Sequence, residues 1–266
     1  MSPKGKAPTW EQFGNGIWAT DPGYAAKVLG IYQQILDFAD VPPPAMAFPP
    51  FGSAAEATDQ AYADVLGRSP SSGERAAAVA ALEGGVLTPP GLIATLVAGE
   101  GADDAQPVAR LYLAALGRLP DRSGLQYWTR RHAAGVPLVV LADQFIGSAE
   151  FDRRNGTPTN VAFIDVLYRN VLGRPADAAG ADYWSRRLSG GLITRRGLLV
   201  QFSESSEHTA KTASTVEASV VYVGMVLRAP DPSVLSWWAT KRSSGSDLTV
   251  LTTLVYGSSA YTSRFS

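Results

Sequence analysis

Residues 167–184 read Leu167-Tyr-Arg-Asn-Val-Leu-Gly-Arg-Pro-Ala-Asp177-Ala-Ala-Gly-Ala-Asp-Tyr-Trp184. The same order of residue types returns at Leu111-Tyr-Leu-Ala-Ala-Leu-Gly-Arg-Leu-Pro-Asp121-Arg-Ser-Gly-Leu-Gln-Tyr-Trp128 and at Val221-Tyr-Val-Gly-Met-Val-Leu-Arg-Ala-Pro-Asp231-Pro-Ser-Val-Leu-Ser-Trp-Trp238. A shorter copy stands upstream at Ala61-Tyr-Ala-Asp-Val-Leu-Gly-Arg-Ser-Pro70. The anchor tyrosines are Tyr62, Tyr112, Tyr168 and Tyr222, separated by 50, 56 and 54 residues. Each copy closes on an apolar residue 33 or 34 positions after its tyrosine, namely Leu96, Phe145, Phe202 and Tyr256, and a small polar tail follows. Matching marks at both ends of a unit are the signature of an internal repeat.

Each unit reads as three short helices. In the third, Phe163, Leu167 and Val171, flanked by Ile164, Tyr168 and Leu172, form an apolar stripe at helical spacing. Gly173 fits a left-handed helix end, and Pro175 stops the helix. Asp177 is placed to cap a second helix, because its carboxylate can accept the unpaired N–H groups of the first turn. Ser189-Gly-Gly191 is a turn, and Thr194 can cap a third helix running to Phe202. The second unit repeats these marks with Gly117, Pro120, Asp121, Gly135 and Phe145. In the fourth, Leu227 stands where the others have glycine, which costs that unit an easy left-handed turn. No segment alternates with period two, so the expected fold class is all-α.

Outside the repeats, Asp40-Val-Pro-Pro-Pro-Ala-Met-Ala-Phe-Pro-Pro50 holds five prolines and is expected to be extended. Before it, Ala25 to Phe38 reads as an amphipathic helix with Val28, Leu29, Tyr32 and Leu36 on one side. The expected organisation is an N-terminal helical segment (1–39), a Pro-rich linker (40–57), a degenerate first repeat (58–106) and repeats at 107–160, 161–213 and 214–266.

Composition narrows the function. The 266 residues carry 23 Lys and Arg against 24 Asp and Glu, a net charge of -1, which argues against a nucleic-acid partner. There is no Cys, and the two histidines, His132 and His208, lie far apart, which disfavours a thiolate or histidine metal site and a Ser-His-Asp triad. No cofactor is expected. No apolar run reaches the ~18 residues of a membrane span, and the N-terminus lacks the apolar stretch of a signal peptide.

The pattern Leu-Tyr, Leu-Gly-Arg, Pro-Asp, Gly and Tyr-Trp, closing on Phe and Ser-Ala-Glu-Phe, resembles a bacterial repeat family catalogued as domain of unknown function 4214, distantly similar in motif to the linker domain of phycobilisomes. The resemblance spans roughly 58–266. It implies a non-catalytic setting in secreted or surface proteins, beside adhesion or hydrolase modules, and implies no ligand. Separately, Trp18-Ala-Thr-Asp-Pro-Gly-Tyr-Ala-Ala-Lys-Val-Leu29 resembles the closing segment of peptidoglycan-cleaving glucosaminidases. Their catalytic lobe stands far upstream of that segment, whereas 17 residues precede Trp18 here, so no enzymatic activity is expected.

The candidate ligand-binding residues are the aromatic pairs Tyr127 and Trp128, Tyr183 and Trp184, Trp237 and Trp238. Indole faces stack on sugars, but large aromatics also dominate small cores; the tryptophans are expected inside, with one member of a pair at the surface. Arg68, Arg118, Arg174 and Arg228 are expected to bond helix-terminal carbonyls or a carboxylate of their own repeat. Asp121, Asp177 and Asp231 are expected as caps, since no calcium-loop pattern surrounds them. His208 is expected to be packed and His132 to face solvent; Asp103 and Asp104 are expected to be solvated. The expected role is interaction or scaffolding in an extracellular or envelope assembly, the partner being another protein subunit, an envelope glycan or a second copy of the chain. An accessory piece of a wall glucosaminidase and a structural component of a phage particle are the alternatives.

Overall fold

The computed structural model describes residues 48–265. The helix expected at Ala25–Phe38, the segment 18–29 and most of the proline-rich stretch lie outside the described residues. Among the described residues the regular structure is helical, with one isolated bridge between Phe48 and Phe51.

Helix α1 (Ala54–Val65) begins inside the linker expected at 40–57. The reason is local: beyond Pro50, Ser53 accepts from the Glu56 amide as an N-cap, and Ala54-Ala-Glu-Ala57 are good helix formers. Then follow α2 (Ser72–Glu83), α3 (Pro89–Ala98), a short α4 (Glu100–Asp103), α5 (Ala105–Leu116), α6 (Arg122–Ala133), α7 (Leu138–Ile146), α8 (Ala149–Asn155) and α9 (Asn160–Leu167). The last runs into a π-helical turn at Tyr168–Leu172. The chain closes with α10 (Ala178–Ser189), α11 (Arg195–Ser203), α12 (Ser206–Met225), α13 (Pro232–Ser243), α14 (Leu248–Tyr256) and α15 (Ser259–Thr262).

Backbone geometry keeps the sequence register. Five residues after each anchor tyrosine the chain is left-handed, at Gly67 (φ 67°), Gly117 (60°), Gly173 (74°) and Leu227 (65°). It is left-handed again 23 residues after each, at Gly85, Gly135, Gly191 and Gly245. Leu227 thus adopts the turn its side chain disfavours, and it is the only non-glycine residue with positive φ among the described residues. Asp121 and Asp177 accept from the Gly124 and Gly180 amides, each at 2.8 Å, as N-caps. Asp231 makes no such side-chain bond; Pro232 occupies the first helical position instead. The four arginines do not reach the terminal carbonyls of the first helices. Arg68 pairs with Glu74 and Glu100, Arg118 with Glu150 and Asp121, Arg174 with Asp177, and Arg228 with Asp231.

The polar tail of each unit has more structure than expected. Ser148, Ser205 and Ser258 cap the helices α8, α12 and α15, and three residues on stand Phe151, His208 and Tyr261, all fully buried. Matching α7 to α14 along their nine residues puts Val255, 1% exposed, opposite Phe145; Tyr256 stands one place later than expected.

Packing follows an order that is not the order of the chain. Helix α3 lies against α14, and α7 lies against α11. Helix α12 is the hub, touching α1, α5, α13 and α14. Its last ten residues, Val216 to Met225, are all buried, as expected of a helix enclosed on every side. First helices cross two residues after the anchor tyrosine. The Asn170 amide donates to the Ala114 carbonyl at 2.9 Å, while a β-carbon at Gly224 would overlap the Asp64 carbonyl. The last described residues are clasped to the first: Arg264 donates to the buried Asp64 carboxylate at 2.9 Å, and Phe51 packs edge-on against Tyr256, Tyr261 and Phe265.

Candidate functional site

Among the recesses on the described surface, two have linings that correspond residue for residue; a third, shallower one is lined by Ser123, Gly124, Gln126, Tyr127 and Arg130. The first of the pair, about 100 Å³, is lined by Tyr112, Leu116, Trp128, Gln144, Phe145, Ser148 and Glu150. The second, about 250 Å³, is lined by Tyr168, Leu172, Trp184, Gln201, Phe202, Ser205 and Glu207. Each sits among the first, second and third helices of its unit. The tyrosine rises from the end of the first helix, and its hydroxyl occupies space that glycine alone leaves free: a β-carbon at Gly124 would overlap the Tyr112 hydroxyl, and one at Gly180 the Tyr168 hydroxyl. That explains the glycine of the Asp-x-x-Gly-x-x-Tyr-Trp motif. Phe145 lies 4.8 Å from Tyr112 and 5.4 Å from Trp128; Phe202 lies 5.3 Å from Tyr168 and 5.7 Å from Trp184. Burial pushes the Tyr112 hydroxyl up to about 12, so it stays protonated at physiological pH.

The candidate aromatic residues separate into three classes. Tyr127 and Tyr183 are exposed, at 46% and 53%. An arginine one turn on covers each ring: Arg131, which also donates to the Tyr127 hydroxyl at 2.9 Å, and Arg187. Trp128, Trp184 and Trp237 are half-buried, and the first two line the recesses. Trp238 is wholly buried; its indole N–H donates to Glu217 at 3.1 Å, and Arg242 holds the other Glu217 oxygen at 2.7 Å. The expectation of one core tryptophan per unit therefore holds in full for Trp238 alone.

Sequence reasoning missed Gln144, Gln201, Glu150 and Glu207. The available signal was the dipeptide Gln-Phe and the tripeptide Ser-x-Glu, which recur in units two and three. In the fourth unit, Leu254, Val255 and Ala260 stand at those places, and Trp238 is turned inward. In the first unit Ala78 stands at the tryptophan position.

The two recesses differ in their charge. Glu150 is held by Arg118 through bonds of 2.6 and 2.8 Å and by Arg154 at 3.1 Å, and the Arg118 guanidinium brings its carboxyl down to about 2. Among the described residues Glu207 has no such partner. Arg174 pairs with Asp177 at 3.2 Å, and Lys211, which corresponds to Arg154, donates to the Val171 carbonyl at 3.5 Å. The Gln144 and Gln201 side chains make no hydrogen bond within the described residues.

Both histidines depart from simple surface or core roles. His132 does not face solvent freely: its Nδ1 lies 2.9 Å from Asp104 Oδ1, and both side chains are about one-fifth exposed, so Asp104 is not simply solvated either. His208 is fully buried, and neither ring nitrogen has a close hydrogen-bond partner. No group of three or more potential ligands that could hold a metal ion occurs among the described residues, and no helix among them is long and apolar enough to cross a membrane.

A family model described as a domain of unknown function (DUF4214) matches residues 142–212. That span runs from α7 to the first half of α12, so it holds the whole second recess and part of the first. It is shorter than the 58–266 over which the motifs show their resemblance. Neither the curated proteins nor the solved structures give a match.

Proposed function

We propose that residues 48–265 comprise four copies of one helical unit, and that the protein is a non-catalytic interaction or scaffolding component of an extracellular or envelope assembly. On this reading units two and three carry the contact with glycan, and units one and four close the fold. The observation that carries it is the correspondence of the two linings: tyrosine, leucine, tryptophan, glutamine, phenylalanine, serine and glutamate, in the same register. A half-buried indole beside an unengaged amide suits a sugar, whose C–H face stacks while its hydroxyls bond.

The absence of chemistry is part of the proposal, and the state of the polar groups supports it. The Ser148 hydroxyl donates to the Phe145 carbonyl at 2.7 Å and accepts from the Phe151 amide, so it serves as a cap, and no base is hydrogen-bonded to it among the described residues. Ser205 does the same with the Phe202 carbonyl and the His208 amide. The accessory-hydrolase alternative rests on residues 18–29, outside the described residues.

Sedimentation of the full chain with purified insoluble peptidoglycan tests the proposal. The chain should co-sediment, release no soluble fragments, and lose binding when Trp128 and Trp184 are both changed to Ala. Sedimentation indifferent to that double change would overturn it. So would release of fragments that a single carboxylate substitution abolishes.

A further inference from the structure

The two recesses share a lining but not an electrostatic state, and the difference points to a ligand class. We infer that the recess of the third unit takes a non-acetylated amino sugar, with Glu207 pairing its ammonium group, Gln201 bonding its hydroxyls and Trp184 forming the wall against its ring. The inference rests on the glycan reading above and deepens it.

Three observations converge. First, the recess at Trp184 is the larger of the two, about 250 Å³ against about 100 Å³, room enough for a sugar ring. Second, its carboxylate is unspent. Glu150 is closed off by Arg118 and Arg154, whereas the corresponding cations of the third unit are turned away, Arg174 to Asp177 and Lys211 to the Val171 carbonyl. Third, the wall is aromatic on three sides through Tyr168, Trp184 and Phe202, and aromatic faces attract a cation while their apolar surface lowers the local dielectric. A carboxylate at the rim of such a surface selects for positive charge. The unengaged Gln201 amide adds donors and an acceptor that a bare alkylammonium would leave unused. The second unit, with Glu150 already neutralised by protein cations, should make no such distinction.

The test is titration of the full chain with the glucosamine disaccharide and with its N-acetylated counterpart, which differ in the charge of the amino groups. Binding of the glucosamine form should be about tenfold tighter, the effect of one charge-assisted hydrogen bond. Glu207→Gln should abolish that preference by bringing the glucosamine form down to the affinity of the acetylated one, and Glu150→Gln should leave the preference intact. Equal binding of the two sugars, unaffected by Glu207→Gln, would overturn the amino-sugar inference and leave the glycan reading standing. Binding of neither sugar would overturn both. Thermal unfolding of Glu207→Gln, close to the parent because Glu207 holds no ion-pair partner among the described residues, excludes misfolding as the cause of its loss of preference; Glu150→Gln, which gives up the pairs with Arg118 and Arg154, is compared at a temperature where it remains folded.

Discussion

The second and third units differ most instructively from the first and fourth in what they do with the same positions. Where Trp128 and Trp184 line open recesses, Trp238 is sunk completely and bonded to Glu217. Where Gln201 and Glu207 reach the rim of a recess, the fourth unit has Leu254 and Ala260. The first and fourth units instead share the clasp of Arg264 on Asp64 and the contact of Gly224 with the Asp64 carbonyl. On the four-copy reading one local plan serves two purposes: exposed aromatic concavities at Trp128 and Trp184, and closure where Arg264 meets Asp64. The lesson is that a recurring residue type marks a recurring place in the fold; burial and partners decide what happens there.

The largest expected effect breaks the closing side of that comparison. Arg264→Ala leaves the Asp64 carboxylate buried with Gln60 and Tyr261 as its remaining polar neighbours. Removing one partner of a buried pair costs about 3–5 kcal/mol. Denaturant unfolding should show a loss in that range, and a change confined to a few tenths would mean the clasp does not close the fold.

A smaller effect sharpens it. Leu227 holds a left-handed backbone where its three counterparts are glycine. The left-handed region costs a side-chain-bearing residue about 1–2 kcal/mol. Leu227→Gly should relieve that strain, partly offset by the greater freedom of glycine in the unfolded chain, for a net gain of up to about 1 kcal/mol. Leu227 is 40% exposed, so little packing is lost. A lowered melting temperature would contradict this.

The smallest effect at neutral pH concerns His208, which stands where the other tails have Phe151 and Tyr261. Burial lowers its pKa; Glu204 and the Val171 carbonyl oppose the shift, while Arg110 and Lys211 reinforce it. The folded protein therefore binds fewer protons at this site than the unfolded chain. Its contribution is fully present above the unfolded value of about 6.5 and is lost as pH falls through that value toward the folded one. The parent should lose stability between pH 7 and pH 5, and His208→Phe should lose less. Parallel pH profiles for the two proteins would count against a buried neutral imidazole.

Much of the local structure was legible because it is governed by neighbours in sequence. Asp177, Thr194 and Gly173 cap helices as their chemistry requires, and the spacing of the tyrosines fixed the register of eight left-handed residues. The packing order was not legible. The contact of α3 with α14 and the bond from Thr252 Oγ1 to the Pro90 carbonyl join residues far apart in the chain, through surfaces that carry no local signature. The recesses were half legible. Their tryptophans stood out, but Gln201 and Glu207 looked like ordinary surface residues until the third helix and the tail were folded beside Trp184. Leu227 shows the converse: local preference argued against the turn, and the surrounding packing prevailed.

The central claim is that equivalent tryptophans have been put to different uses. Trp184→Ala and Trp238→Ala, compared for unfolding and for glycan sedimentation, test it most directly. Trp238→Ala should cost about 3–5 kcal/mol, the range for a large aromatic truncated in a core, while the protein that remains folded still sediments with glycan. Trp184→Ala should cost less than half as much and should weaken sedimentation. Equal destabilisation by the two substitutions, with glycan sedimentation unchanged in both, would contradict the account.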